Sequence, residues 1–296
     1  MKCEYFLDIK KMGKIFFLYL FILLGTFSYA ALPDSMLVYT PEDKTIFEDY
    51  VAKFSFRKHL PINELVMETG FYFLETPYVN YTLEVAKPAE KLIINLRELD
   101  CTTFTETCLA LARMIKSDKS SLKTYAEELQ KIRYRNGILN EFPSRLHYFA
   151  DWIYDNDNMG IVQDVTKTQY NGDIFPIKFN IMTKSSKNYP QLSDTLFLKQ
   201  IGKIENEISQ RKYYYLPKTR IDSLQIQDGD IIAMTVSGKG LDIMHMGIAV
   251  NINGQLYFMH ASSTGKRVMI TNLPFKEYSE AIKSNTGYMI VRPKEL

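Results

Sequence analysis

The stretch Leu99-Asp100-Cys101-Thr102-Thr103-Phe104 decides how this chain is read, because it sets a cysteine at the first turn of a helix. Phe104, Cys108, Leu111 and Ile115 recur at three- and four-residue steps, which predicts a helix through Thr102 to about Lys116. Unpaired N–H groups and a partial positive charge at such an N-terminus favour a thiolate over a thiol. The same N–H groups, that of Cys101 included, can hold an oxyanion. Cys101 is therefore a candidate nucleophile, with a buried structural cysteine as the plainer alternative. Cys108 cannot form a disulfide with it, since seven residues of helix put their backbones roughly 10 Å apart. Cys108 reads as core packing.

Two histidines downstream supply partners for a thiol. In Asp242-Ile243-Met244-His245-Met246-Gly247-Ile248-Ala249-Val250, strand alternation puts Met244, Met246, Ile248 and Val250 on a core face. His245, Gly247 and Ala249 fall on the other face, which is expected to have room. Asn253-Gly254 is a two-residue hairpin signal before Gln255-Leu256-Tyr257-Phe258-Met259-His260-Ala261-Ser262. With that turn, Ile252 pairs with Gln255, and counting back sets Gly247 opposite His260. His260 then lies diagonal to His245 on one face, the geometry of a base and the group that orients it. The plainer alternatives are a strand histidine satisfied by backbone and a surface residue at a strand end. Of the other two histidines, His59 follows Phe56-Arg57-Lys58 and looks solvent-facing, whereas His147 in Ser144-Arg145-Leu146-His147-Tyr148 is harder to dismiss.

Asp100-Cys101-Thr102-Thr103-Phe104, Gly229-Asp230-Ile231-Ile232, His245-Met246-Gly247-Ile248 and His260-Ala261-Ser262 follow in the order of the NlpC-type family of bacterial cell-wall cysteine peptidases and amidases, which the chain resembles over residues 70–116 and 221–296. Thr76-Pro77-Tyr78-Val79 is similar to that family's Pro-Tyr element. Two departures stand out: Thr102-Thr103 replaces the commoner Ser-Gly, and about a hundred residues separate the cysteine helix from the sheet. That inserted region, with Tyr134-Arg135-Asn136-Gly137, Ser144-Arg145-Leu146-His147-Tyr148-Phe149 and Asp151-Trp152, resembles a branch of single-domain periplasmic N-acetylmuramoyl-L-alanine amidases whose inserts enlarge the substrate cleft. The resemblance implies an α+β, papain-like core with the catalytic cysteine at a helix N-terminus packed on an antiparallel sheet, plus helical insertions. It also implies that Tyr78 and Asp100 line the cleft beside the nucleophile. As plainer alternatives, Asp100 is a helix cap and Tyr78 a packing aromatic.

The N-terminus points to export independently of any family. Lys10, Lys11 and Lys14 precede the apolar run Ile15–Leu24, and Ser28-Tyr29-Ala30 offers small residues for cleavage, so residues 1–30 read as a signal peptide. The competing reading is an uncleaved anchor, the stretch from Ile15 to Pro33 carrying no charge. Without the leader, 32 basic and 32 acidic residues remain, which gives no support for nucleic-acid binding. Two cysteines on one helix cannot staple the fold, so residues 31–296 must build a sizeable core, read as one domain with residues 117–220 as an elaboration of its cleft. Twenty tyrosines suit core packing or a cleft that stacks on sugar rings.

Thr40-Pro41 opens a helix to about Phe56, Pro61 a second to Phe73, and residues 91–96 form a short strand before the cysteine. Ser121–Arg133 looks helical, Ser144 can cap a helix to about Tyr154, Ser193 one to Arg211, and residues 183–190 are a polar loop. Strands are expected at residues 231–234, in the histidine hairpin, and at residues 267–270 and 288–291.

These readings converge on a periplasmic cysteine amidase, and the resemblance to the branch implies cleavage between N-acetylmuramic acid and L-alanine. Cys101 would attack, His245 move the proton, and His260 orient it. Tyr134, Arg145, His147 and Trp152 are candidates for gripping glycan or peptide carboxylates. The expected partner is peptidoglycan or its muropeptide fragments, met by a monomer without metal or cofactor and in contact with a membrane only through an uncleaved leader. Three alternatives remain: a D,L-endopeptidase cutting the stem peptide, a zinc hydrolase using one cysteine and two histidines, and a non-catalytic muropeptide-binding envelope protein.

Overall fold

The computed structural model describes residues 33–84, 89–117, 119–238 and 240–296, so the signal peptide and anchor readings lie outside the described residues. Residues Ala31–Leu296 make one compact unit. Its helices are α1 Pro41–Phe54, α2 Ile62–Tyr72, α3 Cys101–Lys116, α4 Leu122–Arg133, α5 Phe149–Asn158, α6 Val165–Thr168, α7 Ile181–Lys184, α8 Thr195–Ile208 and α9 Phe275–Ala281. Its strands are β1 Leu37–Val38, β2 Leu92–Ile93, β3 Val162–Asp164, β4 Asp173–Ile174, β5 Tyr214–Pro217, β6 Ile231–Val236, β7 Ile243–Ile252, β8 Gln255–Ser262, β9 Arg267–Ile270 and β10 Asn285–Pro293. Among the described residues none of the helices is long and apolar enough to cross a membrane.

Helix α3 is the centre of the molecule. Phe104, Cys108, Leu111 and Ile115 are fully buried, as their spacing predicts, but its polar residues Glu106 and Arg113 are buried too. Helix α4 explains this: Arg133 donates to Glu106 at 2.7 Å and Arg113 to Glu128 at 2.7 Å. A charge buried on α3 would be costly alone, and each is met by an opposite charge from α4. The start of the inserted region thus covers α3. Upstream, Thr40 and Asp43 form a capping box on α1, and Asp43 also accepts from the Leu96 N–H at 2.8 Å and from Arg97 at 3.0 Å. One buried carboxylate therefore fixes both the first helix and the segment that delivers Cys101.

The main sheet is antiparallel, ordered β4-β5-β10-β6-β7-β8-β9, with β3 also pairing β10. Asn253 and Gly254 take φ of 52° and 79°, the paired left-handed conformation of a two-residue hairpin. Ile252 pairs with Gln255 and Ile248 with Met259, the register expected from the turn. Met246, Ile248 and Val250 face the large core beneath α3, whereas Ala249 and Phe258 enter a second core with Phe275, Tyr288 and Ile290. The histidine face is therefore packed rather than roomy, and Met244, expected in the core, is 37% exposed at the end of its strand. Gly229 has φ of 78°, and a Cβ there would fall 1.8 Å from the Asn63 carbonyl oxygen. Only glycine fits that approach of α2 to the sheet. Its neighbour Asp230 is buried and accepts two bonds of 2.8 Å from Arg292.

The inserted region is less purely helical than expected. Strands β3 and β5 extend the sheet from β10 and β4 extends it from β5, and their two- to four-residue length left no alternation to read. Ser144 closes a short 3-10 turn instead of capping a helix. Arg145 is extended there, bridged to Tyr134, and α5 starts only at Phe149. Asp194, not Ser193, caps α8, accepting from the Leu196 N–H at 2.7 Å. Residues 183–190 hold the end of α7 and short 3-10 turns.

Candidate active site

Cys101 is the first residue of α3, and Asp100 caps the helix, accepting from the Thr103 N–H at 2.8 Å while Thr103 Oγ1 accepts from the Asp100 N–H at 2.9 Å. Capping box and threonine replacement are one feature: Thr103 closes the box that a glycine could not. Cys101 is partly exposed and Cys108 buried. The surroundings of the Cys101 thiol raise it rather than lower it. Burial pushes it up to about 12, the Asp100 carboxylate adds to the rise, and backbone bonds from Met246 and Thr102 work the other way. Burial first, and the Asp100 carboxylate second, therefore oppose the thiolate expected from the helix start.

His245 Nε2 lies 2.5 Å from His260 Nδ1, with the rings edge to face at 4.7 Å between centroids. Burial lowers His245 to about 4; burial, then the His245 charge, lowers His260 to about 3. Phe258 packs against both rings and Tyr278 against His260, so the pair cannot swing away. His245 spends Nε2 on this bond, which leaves Nδ1 as its other ring nitrogen. Cys101, Thr102 and His245 line one cavity of about 180 Å³ with Leu146, His147, Phe149, Trp152, Asp242, Met244 and Met246.

Gly247 is the hinge of this packing. A Cβ there would meet the Met259 carbonyl oxygen at 2.5 Å and the His260 Cβ and the Phe258 ring at 2.9 Å each. Valine in its place is expected to lower kcat/KM at least tenfold, and overpacking of about 1–3 kcal/mol lowers Tm by several degrees. Steady-state rates and a thermal melt check both.

The other predicted residues divide. Tyr78 stands beside Cys101: burial, then the charges of Cys101 and Asp100, raise its phenol to about 12, and its hydroxyl bonds Asn80. His147 and Trp152 line the cavity. His147 Nε2 lies 2.9 Å from the Phe142 carbonyl oxygen, and burial, then Arg145, lowers it to about 3. Trp152 stacks on Phe149 at 5.2 Å, and its buried indole N–H has no protein partner. Tyr134 and Arg145 are not brought to the cavity: both are buried on Glu90, at 2.8 Å from the Tyr134 hydroxyl and 2.7 Å from Arg145. They anchor the loop instead. His59 is exposed, as expected.

Sequence reasoning missed Asp242. It is buried in the cavity wall and accepts from the Ala150 N–H at 2.7 Å, tying the first turn of α5 to the start of β7. Burial raises its carboxyl to about 6. The partners lie 92 residues apart, so no local pattern reports them. Among the described residues, no three His, Cys, Asp or Glu side chains gather as metal ligands.

Residues 68–287 match the model of a family described as AmiA-like, N-acetylmuramoyl-L-alanine amidase-like. The chain belongs to this family. A crystal structure of an N-acetylmuramoyl-L-alanine amidase from Bacteroides uniformis ATCC 8492 is 37% identical, with a TM-score of 0.74 over 79% of this chain and 99% of that one. A proposed xylanase from Bacteroides fragilis is also 37% identical, with a TM-score of 0.71 over 76% and 99%. Protein LPG0564 from Legionella pneumophila str. Philadelphia 1, at 20% identity and a TM-score of 0.62 over 86% and 94%, shares the fold. No curated protein matches the chain. AmiA-like membership makes the chain an amidase-like hydrolase, with a mixed α+β fold built on an antiparallel sheet.

Proposed function

We propose that the protein is a cysteine amidase of NlpC type that hydrolyses the amide between N-acetylmuramic acid and L-alanine in peptidoglycan fragments. The observation that carries this reading is the cavity shared by Cys101, at the N-terminus of α3, and His245, held by His260 at 2.5 Å. At neutral pH both thiol and imidazole are uncharged, so His245 Nδ1 takes the thiol proton as the sulfur attacks the lactyl carbonyl carbon. The Cys101 backbone N–H helps to hold the oxyanion. His245 returns the proton to the alanine nitrogen as the C–N bond breaks. Water then hydrolyses the thioester, with His245 again the base. His260 holds the ring through Nε2, which must carry hydrogen for Nδ1 to accept.

The family name and the Bacteroides uniformis amidase favour this bond over the stem-peptide cut. The inserted region supports it differently from the sequence expectation. Leu146, His147, Phe149 and Trp152 of that region line the cavity, whereas Arg145 is buried on Glu90. We infer that the N-terminal leader delivers the chain to the periplasm, where such fragments arise.

Muropeptide and sugar-free stem peptide offered in parallel test the bond. Mass spectrometry is expected to find intact stem peptide released from the sugar and slow or no cleavage of free peptide. Efficient cleavage of free peptide after its second residue moves the assignment to a D,L-endopeptidase.

A further inference from the structure

The catalytic cavity of about 180 Å³ is small beside the roughly 300–1,000 Å³ of ordinary ligand pockets, so a sugar and a peptide cannot both sit in it. The substrate must run out along the surface. A second cavity, of about 390 Å³, lies at the same end of the sheet, where Tyr215 of β5, Thr286 of β10 and Val236 of β6 meet the residues before α7. The β6–β7 connection is the common wall. Val236 and Gly240 face the second cavity, Leu241 and Asp242 the first, and the Val236 N–H donates to the Asp242 carbonyl at 2.9 Å.

Two lysines line this second cavity, Lys178 and Lys184, both exposed, and neither has a partner among the described residues. Between them in sequence, Asn180 keeps a buried Oδ1 that accepts no hydrogen bond. The chain is built closely around that oxygen. Gly240 has φ of 74°, and a Cβ there would stand 2.1 Å from it. Phe175 and Tyr215, tilted rings 5.2 Å apart, give the cavity an apolar side. Two unpaired ammonium groups call for carboxylates, and an unpaired amide oxygen calls for an N–H donor. A sugar supplies no charge. A peptide bearing free carboxylates supplies both groups, and the two cavities share the β6–β7 connection as a wall over which an extended chain can run.

We propose that the cavity of Lys178, Asn180 and Lys184 is the subsite for the carboxylate-bearing stem peptide that leaves in the amidase reaction. The site rests on the reading of the protein as an amidase of muramyl peptides, and its test separates the two. Cys101→Ser protein, which binds without turnover, is titrated calorimetrically with free four-residue stem peptide. The same titration is made with that peptide carrying its carboxyls as amides, and with the Lys178→Gln/Lys184→Gln form. Two charge-assisted contacts predict a ten- to hundred-fold loss of affinity on amidating the peptide or on removing the lysines. In the active enzyme, the double substitution is expected to lower kcat/KM for a muramyl tetrapeptide at least tenfold more than for a muramyl dipeptide, through KM. Equal binding of acid and amide peptides, no binding of either, or an unchanged ratio of long to short substrates overturns the subsite. Lysine-dependent binding of the free peptide in a protein that releases no stem from the sugar upholds the subsite and overturns the amidase reading alone.

Discussion

Cys101→Ser is expected to reduce amide hydrolysis at least about 10⁴-fold, with the melting temperature close to that of the native chain. A serine hydroxyl is far less nucleophilic than sulfur, and it gives up its proton to His245 less readily than a thiol does. The helix start itself is unaffected, because its cap is Asp100 with Thr103, not Cys101. Cys108→Ser gives the opposite pattern. Cys108 is fully buried in the main core, so a hydroxyl there lacks a partner and costs about 1–3 kcal/mol, read as a fall in Tm of several degrees. Its folded fraction should turn over at the native rate. Active-site titration with the rate normalised to folded protein distinguishes the two, and an exchange of phenotypes would remove Cys101 as the nucleophile. The thiol chemistry has a further signature. With Cys101 neutral and its proton destined for His245, alkylation by iodoacetamide at neutral pH should slow in His245→Ala, which a freely ionised cysteine would not do.

What could be read from the sequence was whatever repeats or sits within one hairpin. Phe104, Cys108, Leu111 and Ile115 report their helix by spacing, and Asn253-Gly254 reports the register that brings His245 to His260. Electrostatics and long-range ties were not legible. The helix start argued for a thiolate, but how far burial and Asp100 oppose it depends on what surrounds the sulfur. Arg145 beside aromatic residues looked like a ligand-gripping cation, yet Glu90, 55 positions away, takes it into the interior. Asp242 carried no motif because its partner is a backbone N–H on the inserted helix. The strands of the insertion were too short to alternate. Residues whose role is set by a neighbour distant in sequence escape a local reading, and here these shape the cleft walls, while Cys101, His245 and His260 sit on regular elements.

Loss of His245 should cost about 10²–10⁴-fold in kcat/KM, since it lines the Cys101 cavity and is the imidazole that His260 tethers there, and loss of His260 should cost less. In His260→Ala the base remains but loses its 2.5 Å tether and one wall of its aromatic cage, so its orientation rather than its chemistry suffers. His260→Asn restores an oxygen acceptor for the His245 Nε2–H and is expected to recover part of the rate, which a purely structural role for His260 would not predict. Acidification probes the same pair. His147, His245 and His260 fold to about 3, 4 and 3, below the ordinary value of 6.5, so the unfolded chain binds protons that the native state refuses. Their contribution is complete above about pH 6.5 and is lost as pH falls from there toward 4 and 3, at up to about 1.4 kcal/mol per pH unit for each histidine. Tm should therefore decline across this window, and less steeply in His260→Asn. Activity corrected for unfolding should persist below pH 6, because His245 stays neutral until about pH 4. A catalytic acid limb near 6.5 in the folded enzyme would mean that His245 is solvated during turnover and that the buried, tethered base is not the working form.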